Sequence, residues 1–188
     1  MPRAVLRLPL FLLLAVGVLT VAVALAAAGT GLTRPRSHCA AAVTVGSATA
    51  GGISVDAGQL ANARIIYAVG AELGLPQRAE IIALATAMQE SDLQNLPYGT
   101  ADSLGLFQQR PSEGWGTVAQ IMDPVLSARA FYEALVRVGD WQLLPVTDAA
   151  QAVQRSEFPD AYAQWQPMAT QLVASFAGTA RSCVSLDV

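Results

Sequence analysis

A glutamate stands where an apolar helical stretch runs out. In ALATAMQESDLQ, residues 83–94, the chain is apolar for most of two turns and then meets Glu90, with Ser91 and Asp92 behind it. Alone, a helix-end glutamate reads as a solvated surface acid. In apolar surroundings the same carboxyl keeps its proton near neutral pH and can act as a general acid. The following stretch NLPYGTADSLGLFQQRPSEGWG, residues 95–116, is placed to supply them. Leu106 and Phe107 are expected to face a helix end packed by Ala85, Ala87 and Met88. Asp92 and Asp102 are the only nearby carboxylates that suit a second catalytic role. Asp92 should point away from Glu90, whereas Asp102 sits in the loop and could reach a cleft.

Absences narrow the chemistry further. The one histidine, His38, lies far upstream of this region. Ser-His-Asp hydrolysis, Cys-His peptidases and His-ligated zinc amidases each need a residue the region lacks. No metal site and no cofactor is expected. Carboxylate chemistry remains, which in an exported domain points to cleavage of a glycosidic bond, where an acid must protonate the leaving oxygen. Gly105 would then let the backbone approach a sugar. Gln108 offers an amide to acetamido and hydroxyl groups, and Tyr98, Trp115 and Tyr132 offer stacking faces.

Two motifs carry a resemblance. Glu90-Ser91-Asp92-Leu93, followed by Ser103-Leu104-Gly105-Leu106-Phe107-Gln108, resembles the soluble lytic transglycosylase family of the lysozyme-like superfamily. Its pattern runs Glu-Ser-x-Phe and then Ser/Ala-x-Gly-Leu-Met-Gln. Fifteen positions separate Glu90 from Gly105, as in the family pattern. The likeness extends through DPVLSARAFYEAL and covers roughly Leu75 to Val138. It implies a lysozyme-like helical fold with a catalytic cleft, Glu90 as catalytic acid, and Ser91, Ser103, Gly105, Leu106, Phe107 and Gln108 in the substrate-binding wall. Phe107, like Phe131 and Trp141, also sits where a core side chain would. The family's Ala-Tyr-Asn-x-Gly segment has no clear counterpart, and AAQAVQRSEF occupies about that place. The resemblance further implies the substrate: peptidoglycan glycan strands, cut at the β-1,4 bond between N-acetylmuramic acid and N-acetylglucosamine. The alternative from another class is a noncatalytic wall-binding or assembly module of a secretion or conjugation system that keeps the fold.

Helices must position these residues. Leu60, Ile65, Ile66, Val69 and Leu73 recur at three- and four-residue steps from Asp56, until Gly74 and Pro76 stop the run. A second helix spans about Gln77 to Glu90. A third opens at Asp123-Pro124, an N-cap followed by proline at the first helical position. Thr147 caps a short fourth, and Pro159 opens a last segment to about Phe176 that Pro167 should kink or divide. Nothing alternates with period two for long. The domain is therefore expected to be all-α.

Composition sets the outer limits. The chain has 188 residues, enough for one domain with tails. Residues 1–36 hold four arginines and no acid, while the remainder has seven arginines against fourteen acids and no lysine. Such a body has no basic run for a phosphate backbone, so nucleic acid is excluded as a partner. Residues 1–29, with a basic start and an uncharged run from Leu8 to Ala28, form a signal peptide or a membrane anchor; both alternatives stay open. Either puts the body outside the cytoplasm, in the cell envelope, with the membrane as partner if the segment is uncleaved. Residues 30–55 read as a flexible tether, 56–180 as the transglycosylase domain and 181–188 as a tail. Cys39 and Cys183, 144 positions apart, are expected to pair as a disulfide clasping the domain's ends.

Overall fold

The computed structural model describes residues 47–184. These residues are mostly helical. A hairpin of two three-residue strands, β1 (Ala48–Ala50) and β2 (Ile53–Val55), leads into α1 (Ala57–Glu72) and α2 (Gln77–Ser91). A long loop containing a 3-10 turn, Pro111–Glu113, connects to α3 (Val118–Ile121), α4 (Pro124–Leu135) and α5 (Val146–Gln154). A second 3-10 turn, Ala163–Trp165, runs into α6 (Gln166–Val184). The expected leader, the anchor and Cys39 lie outside the described residues, as does the side chain of Cys183, so the clasp does too. Among the described residues no helix is long and apolar enough to cross a membrane.

Local chemistry sets the helix ends. Asp56 caps α1 by accepting from the Gln59 amide at 2.8 Å, and the Gln59 side chain returns the bond to Asp56 N–H at 2.8 Å, satisfying two end donors at once. Asp123 caps α4 by accepting from the Val125 and Leu126 amides, with Pro124 at the first position. Four expectations are corrected. The tether does not reach residue 55: β1 and β2 pair in antiparallel register, Ala48 opposite Val55, and β1 rests on α6. Strands of three residues are too short to leave a period-two signal. Thr147 lies inside α5, whose cap position is Pro145. Pro167 falls in the first turn of α6, where a missing N–H breaks no helical bond, so it starts a helix instead of kinking one. That helix also continues past residue 180 to Val184.

The core is built around α2. Ala79 and residues 82–88 are all buried, and a helix apolar on every side belongs in an interior. Alanines at 79, 83, 85 and 87 let α1, α4, α5 and α6 close around it. Thr86 removes its own polar cost by donating to the Ile82 carbonyl at 2.7 Å. The far end of α2 carries Glu80, packed beneath α1 at Gly70, where a Cβ would lie 2.8 Å from Glu80 Cγ and 2.9 Å from the Tyr132 hydroxyl oxygen. Burial pushes the Glu80 carboxyl up from 4.5 to about 7. Ionising it as pH rises from 4.5 toward 7 therefore costs the fold stability. This group is ten residues from Glu90, at the opposite end of the same helix.

Candidate active site

The last turn of α2 delivers Glu90, and the chain then reverses through two residues in the left-handed region, Asp92 (φ 52°) and Leu93 (φ 57°). Leu93 is buried, and its N–H returns to the Ala87 carbonyl at 3.1 Å. Side chains of α1 hold the reversal: Gln59 donates to the Asp92 carbonyl and Asn62 to the Leu93 carbonyl, each at 2.8 Å. Asp92 is exposed and does not line the cleft, as expected.

The loop after it is tied across itself. Leu96 pairs with Gly105 and Leu104 with Gln109. Gly105 has φ +76° and is buried against Ile121, whose carbonyl oxygen would lie 2.7 Å from an added Cβ. Its absent side chain therefore serves the fold, which corrects its assignment to close approach of a sugar. Ser91 is likewise a brace: its buried hydroxyl donates to the Leu106 carbonyl at 2.8 Å, with the Ala87 carbonyl at 3.0 Å. Leu106 and Phe107 are fully buried. The Phe107 ring stacks on Phe131, centroids 4.6 Å apart and planes 14° from parallel. Tyr132 is also buried, its hydroxyl donating to the Ile66 carbonyl at 3.0 Å. None of the three offers its side chain to a ligand. Leu106 and Phe107 lie in the core because the loop folds back onto α4 and α5, and Tyr132 because α4 packs on α1, long-range contacts that spacing in the sequence does not encode.

The expected residues that do line an open space are Glu90, Ser103, Gln108 and Trp115. They face a cleft of about 990 Å³ closed on its other side by residues of α4, α5 and the segment after α5. Gln108 also steadies the loop, its Nε2 donating to the Tyr98 and Gly105 carbonyls, each at 3.3 Å. Tyr98 is exposed but stands off the cleft lining. Trp115, half-buried, and Phe158, 68% exposed, are the aromatic rings that line it.

Glu90 is half-buried, and Tyr162 donates its hydroxyl to Glu90 Oε1 at 2.7 Å. Burial raises the Glu90 carboxyl above the ordinary carboxylate range; hydrogen bonds from Tyr162 and the Gln154 amide offset part of the rise. Tyr162 is raised as well, first by its own burial and then by the neighbouring carboxylate, so it stays a donor. The 3-10 turn that presents Tyr162 is anchored by Trp165, whose indole donates to Gln89 Oε1 at 2.7 Å. Gln154, at the end of α5, also donates to the Phe107 carbonyl at 2.8 Å and so joins helix, loop and acid.

No family model matches this chain. No curated protein matches it either. The geometry therefore has to carry the reading.

Asp102 departs most from its expected role. Arg110 Nε donates to its Oδ1 at 2.7 Å, Ser112 N–H to its Oδ2 at 2.8 Å and the Ser112 hydroxyl to Oδ1 at 2.9 Å. The guanidinium first, and then the Ser112 amide, hold the carboxyl down to about 2. A carboxylate that weakly basic and that fully engaged is a poor general base. Arg110 also meets Glu113 at 3.3 Å and so anchors its own loop. Asp102→Asn should accordingly leave turnover within a few-fold; a loss matching that of Glu90→Gln in the same assay would restore Asp102 as a second catalytic group.

Sequence reasoning missed Tyr162, Gln154 and Phe158. Tyr162 lies 72 positions from Glu90 in the chain, and no local pattern marked it. Gln154 and Phe158 had no signal either, because their roles depend on how α5 crosses the loop.

Proposed function

We propose that this chain is a lysozyme-like domain that cuts the β-1,4 bond between N-acetylmuramic acid and N-acetylglucosamine in peptidoglycan, acting as a lytic transglycosylase with Glu90 as its acid. On this reading the chain works outside the cytoplasm, held at or released from the membrane through its N-terminal segment. The observation that carries it is Glu90: a carboxyl at the end of the central helix, raised by burial above the ordinary carboxylate range and gripped by Tyr162, on the wall of a large cleft. The motif resemblance around Glu90 and Gly105 names the substrate. Engagement of Asp102 by Arg110 and Ser112 favours a mechanism that needs no second carboxylate.

In that mechanism the Glu90 proton passes to the glycosidic oxygen as its bond to the muramoyl C1 breaks, the oxygen keeping the electron pair. The 2-acetamido oxygen of the muramoyl residue supports the positive charge at C1. The Glu90 carboxylate, now acting as base, takes the proton from the C6 hydroxyl, and that oxygen bonds to C1. The acid is regenerated, and the products are a free 4-hydroxyl on one side and a 1,6-anhydro end on the other, without water. Tyr162 holds Glu90 in place through both transfers.

The test is digestion of purified cell walls by the full-length chain in ¹⁸O-water, with mass spectrometry of the released fragments. Anhydro ends without label are expected. Reducing ends carrying one heavy oxygen would replace this mechanism with hydrolysis. Walls that are bound but never cut would replace the enzyme with a binding or assembly module.

A further inference from the structure

Two arginines in the cleft have no carboxylate against them. Arg137, just beyond α4, and Arg155, the left-handed residue that ends α5, both line the cleft and are exposed. Among the described residues the ion pairs are Arg110 with Asp102 and Glu113, and Arg129 with Glu72. Neither Arg137 nor Arg155 takes part. Glu157 shares the rim and pairs with neither of them.

Their placement runs against the charge of the body. Beyond residue 36 the chain has fourteen acids and seven arginines. Among the described residues Arg64 and Arg78 also lack a carboxylate, but Arg64 lies over the Phe176 ring and Arg78 donates to the Leu144 carbonyl. Arg137 and Arg155 instead face one cleft. Arg155 follows directly on Gln154, whose amide hydrogen-bonds Glu90, and lines the same cleft as that acid. A guanidinium presents a planar fork of donors that fits a carboxylate, and it gains nothing comparable from a neutral acetamido or hydroxyl group.

We propose that Arg137 and Arg155 select glycan strands whose muramoyl lactyl arm displays a carboxylate, in preference to neutral amino-sugar chains. The glycan class rests on the function proposed above; the selection for negative charge rests on the two arginines. The carboxylate has two sources, the lactyl group itself on a strand stripped of peptide, or the acidic residues of an attached peptide stem.

The experiment titrates the full-length Glu90→Gln chain, which leaves strands intact, with three ligands of matched length: stem-bearing soluble strands, amidase-stripped strands and neutral N-acetylglucosamine oligosaccharides. At low salt an anionic strand should bind about tenfold more tightly than the neutral one, with added salt reducing the gap. Adding Arg137→Gln and Arg155→Gln should remove that preference and leave affinity for the neutral chain unchanged. Preference for stem-bearing strands alone assigns the contact to the acidic residues of the stem, preference for stripped strands alone assigns it to the free lactyl carboxylate, and preference for both assigns it to whichever carboxylate the arm displays. Equal affinity for all three ligands, a preference that survives the double substitution, or no binding to any strand would overturn the proposal. A chain with Glu90 intact that shows the preference yet never cuts walls would sink the cleavage reading and leave this one standing.

Discussion

Glu90→Gln should lower the release of wall fragments by at least the ~10²–10⁴-fold that general acid-base catalysis contributes, while the fold survives. Glutamine keeps the shape and an oxygen that still accepts from the Tyr162 hydroxyl, so the 3-10 turn Ala163–Trp165 should stay docked. What is lost is the transferable proton. Stability should hold or rise, and the sign follows from the raised carboxyl. An unfolded glutamate ionises near the ordinary value of about 4.3, whereas folded Glu90 ionises above it, so the penalty for the buried charge grows as pH rises through that window. The glutamine variant has no such penalty and should lose less stability between mildly acidic and neutral pH. On the proposed mechanism the protonated form does the work, so activity should fall on the alkaline side at a midpoint above the usual carboxylate range. A Glu90→Gln chain that releases fragments at the parent rate would dismiss Glu90 as the acid.

Phe107→Ala is the change expected to harm the fold most. The ring is fully buried and stacked on Phe131, and truncating such a ring typically costs about 3–5 kcal/mol from lost transfer energy and the cavity left behind. For a domain of this size that is a fall in melting temperature of about 10 °C or more. The loop should loosen with it, because the Phe107 carbonyl is where Gln154 ties α5 to the Glu90 wall. Phe107→Leu, which refills most of the space, should recover much of the loss and leave KM for wall strands near the parent value. Calorimetry and kinetics together decide the matter. Unchanged melting with a weakened KM would return the ring to the substrate wall and contradict its place in the core.

Neighbouring positions in the loop differ in how far the sequence reveals them. Glu90 was legible because its meaning is local: an apolar helix ends there, and burial of that end follows from the alanines and Met88 that precede it. Ser103 and Gln108 were named through the motif resemblance, and they line the cleft. Ser91, Leu106 and Phe107 carry the same motif yet face inward, and Tyr132 turns its hydroxyl to the Ile66 carbonyl of α1. A motif records which residues occur together, and a brace and a ligand contact leave the same mark in it. Asp102 shows the limit from the other side. Its position in the loop admitted a base, and only the approach of Arg110 and Ser112 made it a clamp.

By itself the sequence determined the helical class, the start of α1 at Asp56, the capped start of α4 and the apolar end of α2 that holds Glu90. All of these depend on residues a few positions apart, where spacing and capping chemistry act directly. The tertiary structure alone decided that Tyr162 lies on Glu90, 72 positions away, that Gln154 spans 47 positions to the Phe107 carbonyl, and that Arg137, Arg155 and Phe158 share one cleft. Such contacts arise when α5 and the turn before α6 pack against α2, and that packing is set by the joint burial of many side chains, which no short pattern contains.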